Sequence, residues 1–176
     1  MLKTKILNQE DNKSKSEMKG GVTALFAEYR KAVDELKYVI KPINDKQLCE
    51  IVDKNTSNID CKSIQSILTH VVFSGYCYII YIENYIGNKK NRLEKITYEN
   101  ANEYIEQLNL MFEYSMNFFQ KNTNVEIEEL VDFKKINTSW GQKYDIEQLL
   151  EHAIVHVLRH RRQIEKFINQ QKEIEK

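Results

Sequence analysis

The chain has 176 residues, of which 41% are hydrophobic, and this is the usual size and apolar content of one domain with a single core. Its 26 basic and 26 acidic residues balance, so no long-range electric field favours nucleic acid or an anionic membrane as a partner. The longest apolar run, residues 71–82, is shorter than the roughly 20 residues that span a bilayer.

The amino-terminal residues 1–18 are rich in Lys, Asn, Ser and Glu and show no apolar periodicity, so we interpret them as a disordered tail. They also lack the order of basic, apolar and small residues that marks an export signal. We therefore expect a cytoplasmic protein with one domain at residues 19–172 and a short tail at residues 173–176. One proline and five glycines leave few breaks, which favours long helices and an all-α class.

Two amphipathic helices are predicted in the first half of the chain from apolar residues at three-and-four spacing. The first begins after Gly21 and ends at Pro42, because proline cannot continue a helix. The second runs from about residue 63 to residue 86, contains His70 and ends at Gly87, a helix-terminating signal.

Two further helices are predicted in the second half. The third runs from about residue 100 to residue 120. Residues 122–144 are irregular, although the alternation at residues 125–127 could form a short extended piece. The fourth helix begins at Asp145, which forms a capping box with Gln148, and runs to about residue 170. Four such helices predict an antiparallel four-helix bundle.

Three of the four histidines, His152, His156 and His160, lie on the fourth helix. At about 100° per residue, His156 and His160 fall within about 20° of Leu149 on the apolar stripe, so both point towards the core. Side chains four apart on one helix can bind one ion, and His70 is the remaining candidate for a third ligand. Three histidines with an open coordination position form the catalytic type of metal site.

The alternatives at these positions stay open at this point. His156 and His160 could be core histidines with hydrogen-bond partners. His152, at the margin of the stripe, could be a ligand, but we interpret it as a hydrogen-bond donor to a ligand residue or as a surface residue. Two other metal sites are excluded, because the residues three before each histidine are not glutamates and the His-Glu-x-x-His signature is absent.

Several further residues are interpreted as structural rather than functional. The three cysteines, Cys49, Cys61 and Cys77, are odd in number and lack C-x-x-C spacing, which argues against disulfides and against a thiolate zinc site. We interpret them as buried or half-buried packing residues and expect a reducing compartment. Trp140 is interpreted as a loop anchor rather than the roof of a pocket. Three arginines could contact a phosphate, but we interpret them as a solvated helix flank: Arg159, Arg161 and Arg162. One of four tyrosines can line a cavity: Tyr76, Tyr78, Tyr81 or Tyr85.

Residues 63–72 and 152–164 resemble the two signature regions of the DinB/YfiT-like superfamily of metal-dependent enzymes. These regions have a histidine in the middle of the second helix and, on the final helix, His-x-x-x-His followed by Arg-Gly-Gln. Here Arg162 replaces the glycine and is predicted to face outward. The resemblance implies a four-helix bundle in which His70, His156 and His160 bind a divalent metal.

The resemblance also implies an activity. Characterised members are thiol-dependent S-transferases or mycothiol-dependent isomerases, so the expected function is activation of a low-molecular-weight thiol for attack on a small electrophile. The alternatives are a metal-dependent hydrolase that uses water, and a non-catalytic metal-binding stress or interaction protein. Zinc or nickel is the expected ion, although imidazole also accepts copper and iron. A homodimer is expected, with a small-molecule substrate, no nucleic acid and no membrane.

Overall fold

The computed structural model describes residues 18 and 20–174 and confirms the all-α class. The helices are α1 (Gly20–Ile40), α2 (Asp45–Cys49), α3 (Ile64–Tyr85), α4 (Ala101–Lys121) and α5 (Ile146–Ile174). The four long helices surround one core, with α1 packed against α4 and α5 and α3 packed against the same two helices. The remaining helix, α2, is a short element between α1 and α3.

The ends of the long helices follow the local chemistry that the sequence indicates. Ser63 caps α3 and Asn100 caps α4, each accepting a hydrogen bond from a backbone amide three residues on. At the start of α5, Asp145 and Gln148 exchange the two bonds of the predicted capping box, at 2.8 and 3.2 Å. Gly87, just beyond α3, has a φ of 94°, which favours glycine.

Four details differ from the sequence prediction. Helix α5 continues to Ile174, so the predicted tail at residues 173–176 is partly helical. Helix α2 was not predicted. Neither was an antiparallel pair of two-residue strands, β1 (Ile136–Asn137) and β2 (Lys143–Tyr144), within the irregular segment. Residues 125–127 form no strand. Apart from Met18, the predicted tail at residues 1–18 lies outside the described residues.

Helix α3 is the most apolar of the long helices. Among the described residues it is the one helix long and apolar enough to cross a membrane, but 61% of its most apolar window is buried against the other helices. The same composition is typical of the core helix of a soluble protein. Because α3 contacts both α4 and α5, its apolar character is explained by burial inside the protein.

Candidate metal centre

The three predicted histidines meet between α3 and α5. The Nε2 atoms of His70 and His156 lie 2.9 Å apart, and the rings of His156 and His160 have centroids 4.5 Å apart. The ring of His70 is 5.2 Å from that of His160. One ligand atom from each residue lies within 4.8 Å of the other two. The structure therefore brings His70 together with two histidines that lie 86 and 90 positions later in the chain.

Helix periodicity explains how α5 presents its two rings. His160 is only 4% exposed, in line with the angular prediction, and it lies on the same stripe as buried Val157 and Ile164. His156 is half-buried, one turn earlier, where the stripe meets a surface cavity. The two residues thus occupy the boundary between core and cavity.

Two of the three rings are oriented by a second hydrogen-bond partner. The Nδ1 atom of His70 lies 3.3 Å from Oδ2 of Asp60, and Nδ1 of His160 lies 3.0 Å from Oε1 of Gln163. A carboxylate or amide oxygen accepts the Nδ1 proton, so these partners favour the tautomer whose Nε2 carries a free lone pair. Asp60 is in turn held by Lys95, whose Nζ is 2.6 Å from its Oδ1. Asp60 and Lys95 were not predicted from the sequence.

The imidazoles are neutral at pH 7. Burial, followed by the charges of His160 and His70, lowers the pKa of His156 to about 2. Burial also lowers the pKa of His160 to about 4, and it is the main cause that lowers the pKa of His70, with Asp60 acting in the opposite direction. Metal ions bind the neutral ring, so no proton must leave before an ion can bind.

The donor set fits a divalent ion. One ligand atom from each of the three imidazoles lies within 4.8 Å of the others, so these residues would hold an ion after a modest movement of their side chains. A single proton can bridge only one pair of the three nitrogens, whereas one cation accepts lone pairs from all three. Three imidazoles suit zinc, nickel, copper or iron, so the geometry leaves the identity of the ion open.

A cavity of about 380 Å³ opens beside the three histidines. Larger grooves lie elsewhere, including one of about 760 Å³ along α1 and α5, but its lining holds none of the four histidines. The lining of the smaller cavity combines the histidines with aromatic rings and with basic side chains. Tyr78 and Tyr81 are the two of the four predicted tyrosines that line it.

Trp140 lines this cavity and also anchors its loop, because its ring packs against Tyr78, Tyr81 and His152. Its ring stacks on His152 with centroids 5.4 Å apart and an interplanar angle of 23°, and it meets Tyr78 edge-on at 6.2 Å. His152 lies outside the group of three ligand atoms. Its Nδ1 is 3.1 Å from the hydroxyl of Tyr144, and its ring centroid is 6.2 Å from that of His156.

The cysteines and arginines divide between the cavity and other surfaces. Cys61 and Cys77 line the cavity, and burial raises the pKa of the Cys77 thiol. Cys49 is exposed, so the prediction that it is a packing residue was wrong. Arg159 is exposed as predicted but lines the cavity, whereas Arg161 forms an ion pair with Glu35.

Comparison with known proteins places the chain in a family. A sequence model of the DinB family matches residues 9–171, which is most of the chain and includes half of the predicted amino-terminal tail. No curated protein and no solved structure matches it.

Proposed function

The chain belongs to the DinB family, and on this premise we propose that it is a metal-dependent enzyme. His70, His156 and His160 would bind a divalent ion, with zinc or nickel as the proposed identity. The substrate would be a small molecule in the adjoining cavity. The observation that carries the proposal is the convergence of three neutral imidazoles beside a cavity large enough for such a molecule.

Each part of the site has a role in this proposal. A bound divalent ion supplies Lewis acidity, which lowers the pKa of a coordinated thiol or water. Asp60 and Gln163 orient His70 and His160 through their Nδ1 atoms, and burial keeps the rings neutral. Three protein ligands leave a coordination position for a substrate, as in catalytic rather than structural sites.

We propose a thiol S-transferase as the reaction class. Among the described residues, the cavity lining holds a single carboxylate, Asp60, and both of its oxygens are within 2.7 Å of Lys95 Nζ while Oδ2 also faces His70. A free thiol has a pKa of about 8.5 and water one of about 15.7, so a coordinated thiol ionises at neutral pH with less help from a general base. A lining whose single carboxylate is already paired therefore suits a thiol better than water. In the reaction the sulfur forms a bond to carbon, the leaving group departs with its electron pair, and the thiol proton passes to solvent.

The wider proposal covers fold, assembly and location. We propose that the four long helices form an antiparallel bundle, that the protein is a cytoplasmic homodimer, and that it acts without nucleic acid or membrane. The closed circuit of helix contacts, α1 with α5, α5 with α3, α3 with α4 and α4 with α1, supports the bundle. The balanced net charge supports a partner other than nucleic acid.

Metal content and titration of purified protein test the centre. We expect one equivalent of zinc or nickel per chain in the wild type, lost in His70→Ala and in His156→Ala. His152→Ala is the matched control because its ring is on the same helix but outside the group of three, and it should bind metal like the wild type. Metal that persists without His70, or no binding by the wild type, would contradict the proposed site.

Turnover with and without a thiol tests the reaction class. We expect metal-loaded protein to consume 1-chloro-2,4-dinitrobenzene, or another reactive electrophile, only when a low-molecular-weight thiol is added. His156→Ala should lose this activity. Product formation without thiol would identify a hydrolase instead, and a metal-loaded protein that is inert to a broad panel of electrophiles and esters would support a non-catalytic role.

A further inference from the structure

The wall of the metal-site cavity carries an excess of positive charge. Its ionisable side chains, apart from histidine, cysteine and tyrosine, are the basic Arg92, Lys95 and Arg159 and the acidic Asp60. The chain as a whole carries equal numbers of basic and acidic residues. The cavity is therefore a local positive region on a protein of zero net charge.

Within the described residues, two of the three cations have no carboxylate partner. Lys95 is neutralised by Asp60, with Nζ 2.6 and 2.7 Å from its two oxygens. Arg92 instead donates to neutral oxygens, the hydroxyl of Tyr81 and, at 2.9 Å, Oγ of Ser139. These bonds fix the guanidinium at the cavity without cancelling its charge.

Arg159 is the second uncompensated cation. It is exposed at the cavity and forms no salt bridge to a carboxylate within the described part of the chain. It lies three residues after His156 and directly before His160, and all three residues line the same cavity. An uncompensated cation on this wall favours an anionic ligand.

Aromatic rings form another part of the same wall. Tyr78 is 4% exposed and its ring meets those of Trp140 and His156 edge-on. The Arg92 guanidinium also lies 5.1 Å above the ring of Tyr81. Such a surface packs well against a flat or apolar body and places the guanidinium groups at its border.

We propose that the substrate of this site is a small organic anion with an aromatic or apolar body. Arg92 and Arg159 would bind its anionic group, a carboxylate or a phosphate-type group, and Tyr78 and Trp140 would pack against its body. Guanidinium groups favour both kinds of anion because their paired N–H donors match two acceptor oxygens. This inference rests on the proposed function, because it names the substrate class of that enzyme.

The single tryptophan of the chain provides the assay. Trp140 lines the cavity, so its fluorescence should be quenched by a bound nitrophenyl compound. We would titrate zinc-loaded and metal-free protein with 4-nitrobenzoate, 4-nitrobenzylphosphonate and the neutral 4-nitrobenzamide. We expect one or both anions to bind about tenfold more tightly than the amide in both forms. The relative affinity of the carboxylate and the phosphonate identifies which anionic group the site prefers.

Arginine variants assign the preference to residues. Arg159→Gln and Arg92→Gln should each reduce anion affinity about tenfold and leave the affinity for 4-nitrobenzamide unchanged. Arg162→Gln, an exposed arginine on the same helix outside the cavity lining, is the matched control and should bind like the wild type.

Two results would overturn the inference. One is equal affinity for the anions and the amide. The other is a preference that disappears with EDTA and survives both substitutions, which would place the anion on the metal alone. Zinc content measured in the same samples separates the two proposals. If wild-type protein binds no zinc, the proposed metal centre is wrong. If it binds zinc but shows no preference for the anions over the amide, only the proposed substrate class is wrong.

Discussion

Helix α3 contacts α4 on one face and α5 on another, and these two faces differ in chemistry. Towards α4, Gly75 allows so close an approach that a Cβ atom there would collide with the side chain of Met111, and Thr69 lies 2.5 Å from the hydroxyl of Tyr104. Towards α5, imidazoles face one another beside a cavity. The first face is filled by interlocking side chains, and the second is polar and open to a ligand.

The difference teaches how one helix can serve stability and function separately. Dense packing excludes ligands but contributes to the free energy of unfolding through buried contacts. Clustered neutral imidazoles contribute little packing, but they offer lone pairs to an ion. We therefore expect substitutions on the α4 face to reduce the free energy of unfolding and leave metal binding intact. Substitutions on the α5 face should reduce metal binding and leave the free energy of unfolding nearly unchanged.

The largest expected effect is on the α4 face, from Met111→Ala. Met111 has no exposed surface, contacts Gly75 and accepts a hydrogen bond from the Tyr29 hydroxyl at 3.2 Å. Its truncation should lower the free energy of unfolding by about 2–5 kcal/mol, because it removes buried contacts and leaves a cavity. Chemical denaturation of metal-free protein measures this loss, and zinc titration of folded protein should still give one equivalent.

A control for Met111→Ala is available on the same helix. Leu110 is 44% exposed, so Leu110→Ala should change the free energy of unfolding by less than about 0.5 kcal/mol. A Met111→Ala protein with unchanged stability but no zinc binding would contradict the claim that the α4 face serves stability and the α5 face serves metal binding.

The intermediate effect is the pH dependence of metal-free protein. Folded His156 and His160 have pKa values lowered to about 2 and about 4, whereas the unfolded chain titrates near 6.5. Below pH 6.5 the unfolded state therefore binds protons that the folded state does not. The free energy of unfolding should be fully maintained above pH 6.5 and should fall below it by at most about 1.4 kcal/mol per pH unit for each ring, which is about 2 kcal/mol for His160 between pH 6.5 and pH 5.

Other groups also titrate in this range, so the measurement is a difference. Unfolding of wild-type protein and of His160→Gln, both in EDTA, should be compared between pH 5 and pH 7.5. Glutamine lacks an ionisable ring, so the free energy of unfolding of the His160→Gln protein should decline less steeply than that of the wild type as pH falls. Parallel curves for the two proteins would show that His160 has an ordinary pKa, and the account of a neutral cluster would then be wrong.

The two faces were not equally predictable from the sequence. Apolar spacing predicted the four long helices, because a buried stripe repeats every three or four residues over twenty positions. It missed α2, whose five residues are too few to show a period. His156 and His160 were placed together by their separation of four on one helix. The third position, His70, came from another helix, and its selection depended on elimination and on the family resemblance.

The loop residues of the site show where prediction from the sequence ends. Trp140 and Asp60 lie outside the long helices, Asp60 within a single 3-10 turn at residues 59–61. Their positions depend on how each loop packs against α3, and no periodicity encodes that path. A carboxylate ten residues before His70 gave no signal in one sequence. Only the folded chain brings it to 3.3 Å from the ring.

The smallest expected effect comes from this unpredicted partner, through Asp60→Asn. The substitution keeps the shape of the side chain and an acceptor oxygen for His70 Nδ1, but it removes the negative charge that raises the basicity of the ring. Zinc affinity should fall about tenfold, the lower end of what is lost when a residue that orients a ligand is changed. The free energy of unfolding of metal-free protein should stay close to the wild-type value, because Asp60 lies at the cavity and not in the core.

Asp132→Asn is the matched control, since Asp132 also pairs with a lysine but lies outside the cavity, and the variant should bind zinc normally. Competition with a chromogenic chelator measures all three proteins. Equal affinities would mean that the Asp60 contact does not orient His70, and the α5 face would then depend on its three imidazoles alone.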